Sequence, residues 1–422
     1  MIEVDLIPVA SPIHQENYWR KKLDAIIHLM LKHGFKINLY GCIKSAEEAE
    51  KVEISPDANA VLIGVLTGGT SSIAARIATK IEKAAIILAH NSGNSLPSAI
   101  EAREKAKLLG VHPDMAYLNL EKPNQVANEL RNLKAIIKTI HEITSLKAID
   151  VGGKNRTLNI GAKGKLEIIG LDEEAMENTR RRVNKESINK VLNKVLEQAE
   201  LHEVSVSDLK ESVKLYLAAK QLMNKNNAKI VMFNCFKYIE KYGITPCLTV
   251  SLLNSEGLIG ICESDEAMTI SYVLSKNLSA IPPIICNTSS FNPAENTLIL
   301  AHCTAPLKSS ENGKKIKLVK HFESQKSVSL DVKTPINTEV ILLSLSRELG
   351  TLHAAEGVII DSSIGLEDMC RTQIKVKLKG DVWRFIDNTP SNHQLLVFHD
   401  NYRAVKRIAK LVGIKFSSIH FQ

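Results

Sequence analysis

At 422 residues the chain is too long for one hydrophobic core, and its balance of 44% apolar and 24% charged residues is that of a soluble globular protein. No apolar run reaches the roughly 18 residues of a membrane helix, residues 1–8 are acidic and strand-like rather than a signal sequence, and seven scattered cysteines without a CxxC pair argue for a reducing cytoplasm and against a disulfide framework or zinc ribbon. The net charge of +8 is spread along the chain, and its densest cluster, Arg180-Arg181-Arg182 to Lys185, has no interleaved aromatics, so it reads as a solvated helix face and not as a nucleic-acid surface.

Residues 1–145 alternate strands and helices. Ile2–Val9 reads as a strand, and Glu16–Lys32 as a helix with the stripe Trp19, Leu23, Ile26, Ile27 and Met30. Further strands are expected at 36–40, Ala60–Val65, 84–89 and 115–118, with a long helix over 123–145. Ala60–Val65 is continuously apolar, as strands buried on both faces are. The pattern is that of a doubly wound parallel sheet. Two loops stand at its carboxyl edge: Leu66-Thr67-Gly68-Gly69-Thr70 and His90-Asn91-Ser92-Gly93-Asn94-Ser95. Thr67, Gly68, Gly69, Asn94 and Ser95 are candidates for binding a small polar substrate; ordinary turn and helix-cap chemistry is the other reading. Neither loop has a phosphate-loop or GxGxxG pattern.

A boundary is expected near 147, where Gly/Lys loops replace the regular alternation. The α/β pattern then resumes with a strand at 166–171, helices at 187–200 and 208–223, and a strand at 229–233. It closes on Leu258-Ile259-Gly260-Ile261-Cys262, an apolar strand followed at once by Glu263-Ser264-Asp265 and a helix over 266–274. A carboxylate at the carboxyl end of a buried strand is where open α/β sheets place ligands. The same residues could be a helix-start signal, with Ser or Asp capping and acids in the first turn.

From about 281 the texture is short β runs, at Thr297–His302, 315–319, 327–332, 340–345, 357–360, 373–378 and 395–397, before a helix at 402–411. The expected organisation is therefore an N-terminal α/β domain (1–147), a middle α/β domain (148–280) and a β-rich C-terminal domain (281–422). His302 ends one β run and His393 precedes another. With Glu263 they give one carboxylate and two imidazoles at strand ends, a set that suits a divalent metal holding an oxygen-rich substrate. His321, His353, His399 and His420 read as structural.

These features resemble the L-fucose isomerase / L-arabinose isomerase superfamily, in its shorter fucose-isomerase-like branch. The resemblance rests on Leu66-Thr67-Gly68-Gly69-Thr70, Asn94-Ser95-Leu96-Pro97, Pro246-Cys247-Leu248, Cys262-Glu263-Ser264-Asp265, Ala301-His302-Cys303, Met369-Cys370-Arg371-Thr372 and Asn392-His393. It covers most of the chain, with residues 150–230 matching poorly. It implies a cytoplasmic homo-oligomer acting on a small sugar, in which a neighbouring subunit's first domain completes the site. It also implies a divalent metal, usually manganese, and proton transfer between C1 and C2 through an enediol. Carried over by position, Glu263 is the first carboxylate ligand, His393 the C-terminal histidine ligand, and His302 the histidine of the arabinose members. The second carboxylate falls 24 residues past Glu263, at Asn287. An amide can ligate through oxygen but cannot act as a proton-transfer base. Asp265 is then a base in its place or a support for the ligands, and Glu295 is the carboxylate reached if the alignment slips by eight residues. A sugar-binding or regulatory protein on the same scaffold is the alternative.

Overall fold

The computed structural model describes residues 2–311, 316–399 and 402–419; the expected strand residue Lys315 and His420 lie outside them. The chain forms two compact units, Met1–Glu142 and Ile143–Gln422.

The first unit is a five-stranded, all-parallel sheet built from β1 (Ile2–Val9), β2 (Phe35–Leu39), β3 (Ala60–Val65), β4 (Ala84–His90) and β5 (Asp114–Leu118). Its spatial order is β2-β1-β3-β4-β5, so the winding reverses between β1 and β3. Every residue of β3 and β4 is buried. On helix Glu16–Lys32, Trp19, Leu23, Ile26 and Met30 are buried, a spacing that keeps one stripe on the sheet. Each such side chain contributes roughly 1.5–3 kcal/mol of burial.

The second unit contains the regions expected as middle and C-terminal. A second five-stranded sheet uses β6 (Leu146–Val151), β7 (Arg156–Ile160), β8 (Gly164–Leu171), β10 (Ile230–Phe233) and β11 (Ile259–Cys262), in the order β11-β10-β6-β8-β7. All pairs are parallel except the β7–β8 hairpin. The intervening β9 (Ala199–Leu201) joins a small sheet with β14 (Ile316–Val319) and β15 (Ser329–Asp331).

The remaining strands are β12 (Ile284–Asn292), β13 (Thr297–His302), β16 (Thr338–Leu345), β17 (Thr351–Ser362), β18 (Thr372–Leu378), β19 (His393–Val397) and β20 (Lys415–Ser418). They run β16-β19-β12-β13-β18-β17-β20, and β16 also pairs with β17. Six antiparallel strands therefore close into a barrel, with β20 added in parallel outside it. The closure depends on β17, a twelve-residue strand. Its first part pairs with β16; beyond the irregularity between Ile359 and Asp361 it continues against β18. One apolar core links the middle sheet to the barrel through residues such as Val151, Tyr216, Leu253, Leu298 and Val376.

Where the structure departs from expectation, the causes are local. The helix expected from 208 begins at Val206, because Asp208 is the third residue of a capping box: its carboxylate accepts from Ser205 N and Ser205 Oγ accepts from Asp208 N. The cluster at 180–182 is only partly a solvated face. Arg181 and Arg182 are exposed, but the Arg180 side chain is 13% exposed and pairs with Glu177 at 2.7 Å and with Glu211. β12 runs on through the polar stretch Asn287-Thr288-Ser289-Ser290, held as a strand by β13 along its length and by β19 as far as Asn287.

Candidate functional site

The turn after β11 places the acidic side chains. Glu263 (φ 60°) and Ser264 (φ 48°) are consecutive non-glycine residues in the left-handed region, a conformation that costs on the order of 1–3 kcal/mol per residue and persists only where its surroundings impose it. Those surroundings are identifiable. Ser264 N donates to Phe233 O at the end of β10 (2.9 Å), and Ser264 Oγ donates to Asp150 at the end of β6 (2.6 Å). Asp150 is buried and also accepts from Arg156 Nη1 at 2.8 Å, while Arg156 Nε reaches Glu266. The chain passes so close here that a Cβ on Gly153 would lie 2.0 Å from Asp150 Oδ2. Three strand ends are thus tied to one turn. Arg156→Met is expected to leave the buried Asp150 charge without its cation and to destabilise the fold by about 3 kcal/mol, read as a shift of the urea midpoint; a change under about 0.5 kcal/mol, within the range of ordinary surface substitutions, would show that the brace carries no weight.

The two histidines approach from the barrel. Asn287 on β12 is the register partner of both His393 and Ala301, so the start of β19 and the end of β13 lie level with each other across β12. The rings of His302 and His393 are 5.9 Å apart. His393 Nε2 lies 3.6 Å from Glu263 Oε2, beyond hydrogen-bond length. One ligand atom each of Cys262, Glu263 and His302 fall within 4.8 Å of one another. His393 Nδ1 donates to Asp265 Oδ2 at 2.8 Å, and His302 Nδ1 meets Thr304 Oγ1 at 2.9 Å. The Nε2 atoms of both rings are buried without a hydrogen-bond partner. Leaving such atoms unsatisfied costs roughly 1–3 kcal/mol apiece. Two imidazoles engaged through Nδ1, with Nε2 atoms that lack a partner and a carboxylate nearby, are a donor set that fits a divalent cation.

Burial holds the His302 imidazole down at about 3, with the neighbouring His393 adding to the effect, so it is neutral at any working pH. Burial also pulls His393 down, but its hydrogen bond to Asp265 and the nearby Glu263 charge outweigh this and raise it to about 9. The His393 contact lowers Glu263 below the ordinary carboxylate value. For Asp265, burial opposes ionisation, yet His393 and the Met268 N–H bring its net shift downward. Both Asp265 oxygens are engaged: Oδ2 by His393, Oδ1 by Met268 N as the cap of helix Glu266–Ser275. The helix-start and ligand-site readings therefore divide the tetrad, with Asp265 capping and Glu263 turned toward the histidines.

Asn287 is half-buried, and its Oδ1 accepts from Asn392 Nδ2 at 3.0 Å. Glu295 pairs with Lys375 at 2.5 Å as an exposed side chain. The neighbouring Cys235 thiol and burial raise the Cys262 thiol well above its ordinary value. Sequence reasoning passed over Asp150, Arg156 and Thr304, which hold the site groups in place. It also set aside His321, which the structure places in a loop (residues 320–327) close enough to feel Glu263, as does Glu323, raised by partial burial and by that charge. Asp150 and Arg156 left one trace in the sequence, an acid at a strand end followed by a Gly-Gly turn and a base.

The five other candidates form a separate cluster in the first unit, at the β1/β3 reversal where open sheets bind ligands. Thr67 Oγ1 is buried and accepts from Ser11 N at 2.7 Å. Ser95 Oγ is buried, donating to Val65 O and accepting from His90 N. Gly68 N donates to Gly93 O, joining the two loops. Neither Thr70 nor Asn94 caps its helix by side chain. Gly69 and Asn94 stay exposed and Gly68 partly so.

No family model matches the chain. Over 221 residues it is 24% identical to sulfoquinovose isomerase from Clostridium sp. (strain MSTE9), a stretch covering 50% of this chain and 49% of that protein. The match thus spans about half the length of the curated relative, and the likeness is a distant one to a sugar isomerase. Among the described residues, no helix is long and apolar enough to cross a membrane.

Proposed function

We propose that this protein is a metal-dependent isomerase interconverting an aldose and a ketose, with manganese as the first cation to test. The observation that carries the reading is the meeting of Glu263 with His393 Nε2 at 3.6 Å and with a ring nitrogen of His302 within 4.8 Å, the Nε2 atoms of both rings being buried without a hydrogen-bond partner. The distant likeness to a sugar isomerase supports the same reaction class. Glu263, His302 and His393 would hold the cation, with Asn287 in the same strand row as a neutral oxygen donor. When bound, the metal would supply Lewis-acid polarisation of the substrate carbonyl, which acidifies the adjacent carbon-bound proton. Asp265 holds the His393 ring through Nδ1, leaving Nε2 without a hydrogen-bond partner. Asp150 and Arg156 hold the Glu263 turn against its strain. In the first unit, the exposed Gly69 and Asn94 and the partly exposed Gly68 are proposed to bind polar groups of a sugar at that unit's own sheet edge, with the Thr67 and Ser95 hydroxyls shaping those loops.

The deciding experiment compares manganese binding by calorimetry in wild type and His393→Ala, followed by a screen of aldose–ketose pairs. Stoichiometric binding lost in the variant is expected; no binding in wild type would end the isomerase reading. A second reading, a sugar-binding protein without turnover, is favoured by Asn287, which cannot serve as a base. Asn287→Asp keeps an acceptor for Asn392 and adds a negative charge, so it should raise manganese affinity by roughly tenfold. Flat or falling affinity would take Asn287 out of the metal's ligand set.

A further inference from the structure

A cavity in the same unit has none of the metal-type cluster in its lining and holds no part of the proposed chemistry. It lies among helices Lys185–Gln198, Val206–Lys225 and Cys247–Ser255 and the turn Leu307–Ser309, with a volume of about 420 Å³. That is within the roughly 300–1,000 Å³ of small-molecule sites. Its floor is apolar, with Val195, Leu252 and Leu307 buried beneath it. Its charges are one-sided. Glu256, the acid in the lining, is already satisfied by Lys220 Nζ (2.6 Å) and Tyr216 OH (2.6 Å), and these bonds outweigh burial to hold its carboxyl below the ordinary value. Lys190, Lys194 and Lys308 also line the cavity, are exposed, and make no ion pair within 4.0 Å among the described residues, although Lys194 adds to the lowering of Glu256. Lys190 and Lys194 sit four apart on one helix, a spacing at which like charges repel.

An apolar pocket with surplus positive charge at its rim selects a ligand by both features. A neutral hydrocarbon would leave the lysines repelling one another, and a small inorganic anion would leave the floor wet. An acidic protein segment would gain from the lysines but has no use for a closed apolar floor. We propose that this cavity binds a single-chain amphipathic monoanion, its hydrocarbon body on Val195, Leu252 and Leu307 and its anionic head among Lys190, Lys194 and Lys308. The proposal is independent of the isomerase reading.

The test is calorimetric titration of the full-length protein with decanoate, and with decanol and decyltrimethylammonium as neutral and cationic analogues, all below micelle-forming concentrations. Saturable binding of one decanoate per chain is expected, with both analogues weaker by roughly tenfold or more. Lys190→Glu/Lys194→Glu should weaken decanoate by at least that factor and leave decanol unchanged. These side chains are exposed, and an unaltered urea midpoint would verify that the variant is folded. If the variant does not fold, the order of the three ligands on wild type decides alone. Absence of saturable binding, equal affinity for decanoate and decanol, or undiminished decanoate affinity in the folded variant would each overturn the proposal.

Discussion

Glu263→Gln is expected to lower manganese affinity by roughly 100-fold or more and to abolish any aldose–ketose turnover. Among the four proposed ligands this is the anionic one; His302 is neutral, His393 offers Nε2 only after losing a proton, and Asn287 is an amide. The amide keeps the shape of the side chain, so the left-handed turn and its ties to Asp150 and Phe233 stay in place. The loss should therefore appear in binding and not in stability. In the metal-free protein the same change removes one of the contacts that raise His393, so the imidazole should titrate below its present value of about 9. Manganese affinity equal to wild type would remove Glu263 from the metal site and with it the proposed reaction.

Asp265→Asn isolates the support from the ligand. Asparagine can still cap helix Glu266–Ser275, but it no longer offers His393 Nδ1 a carboxylate. Loss of such a partner typically costs 10–100-fold in metal affinity, and that range is expected here. The pH dependence supplies the specific signature. Cation binding requires a bare Nε2 on His393, so below about 9 a proton must leave. Affinity in wild type should rise with pH by up to roughly tenfold per unit until that value. In Asp265→Asn the rise should level off at lower pH. The metal-free fold carries the matching stability effect. The His393 contribution is complete below its ordinary 6.5 and lost as pH rises through about 9. The Glu263 and Asp265 contributions are present above 4.5 and 3.8 and are lost as pH falls through their lowered values. A variant whose pH profile merely drops in parallel would assign Asp265 to the helix cap alone.

Much of the α/β framework was legible because the periodicities are strong. Ile2–Val9, Glu16–Lys32, Ala60–Val65 and Thr297–His302 appear with the expected bounds. β17 was legible only in part: its alternation is interrupted by the bend that lets it serve two partners. β12 was hidden for a related reason, since Asn287-Thr288-Ser289-Ser290 becomes a strand through its neighbours and not through its own preference. At the site, Glu263, His302 and His393 were visible as chemistry at strand ends. Their meeting was not, because it depends on how far β13 and β19 are staggered across β12, a quantity no local pattern contains. Asp150 and Arg156 were invisible as a pair because their value lies in contacts made across more than a hundred residues, to Ser264 and Glu266.

The closed barrel has a consequence for how such a site can diverge. In an open sheet a strand may slide, and a one-residue slip turns every side chain to the opposite face. In a ring each strand is gripped from both sides, so β19 cannot shift against β12 without disturbing β16 as well. The spacing of His302 and His393 is thereby insulated from substitutions around it. Chemistry at the intervening position can be rewritten one residue at a time, carboxylate for amide, while the frame keeps its dimensions. If the proposed metal site is right, its chemistry could change by single-residue steps at Asn287 while the ring keeps its dimensions.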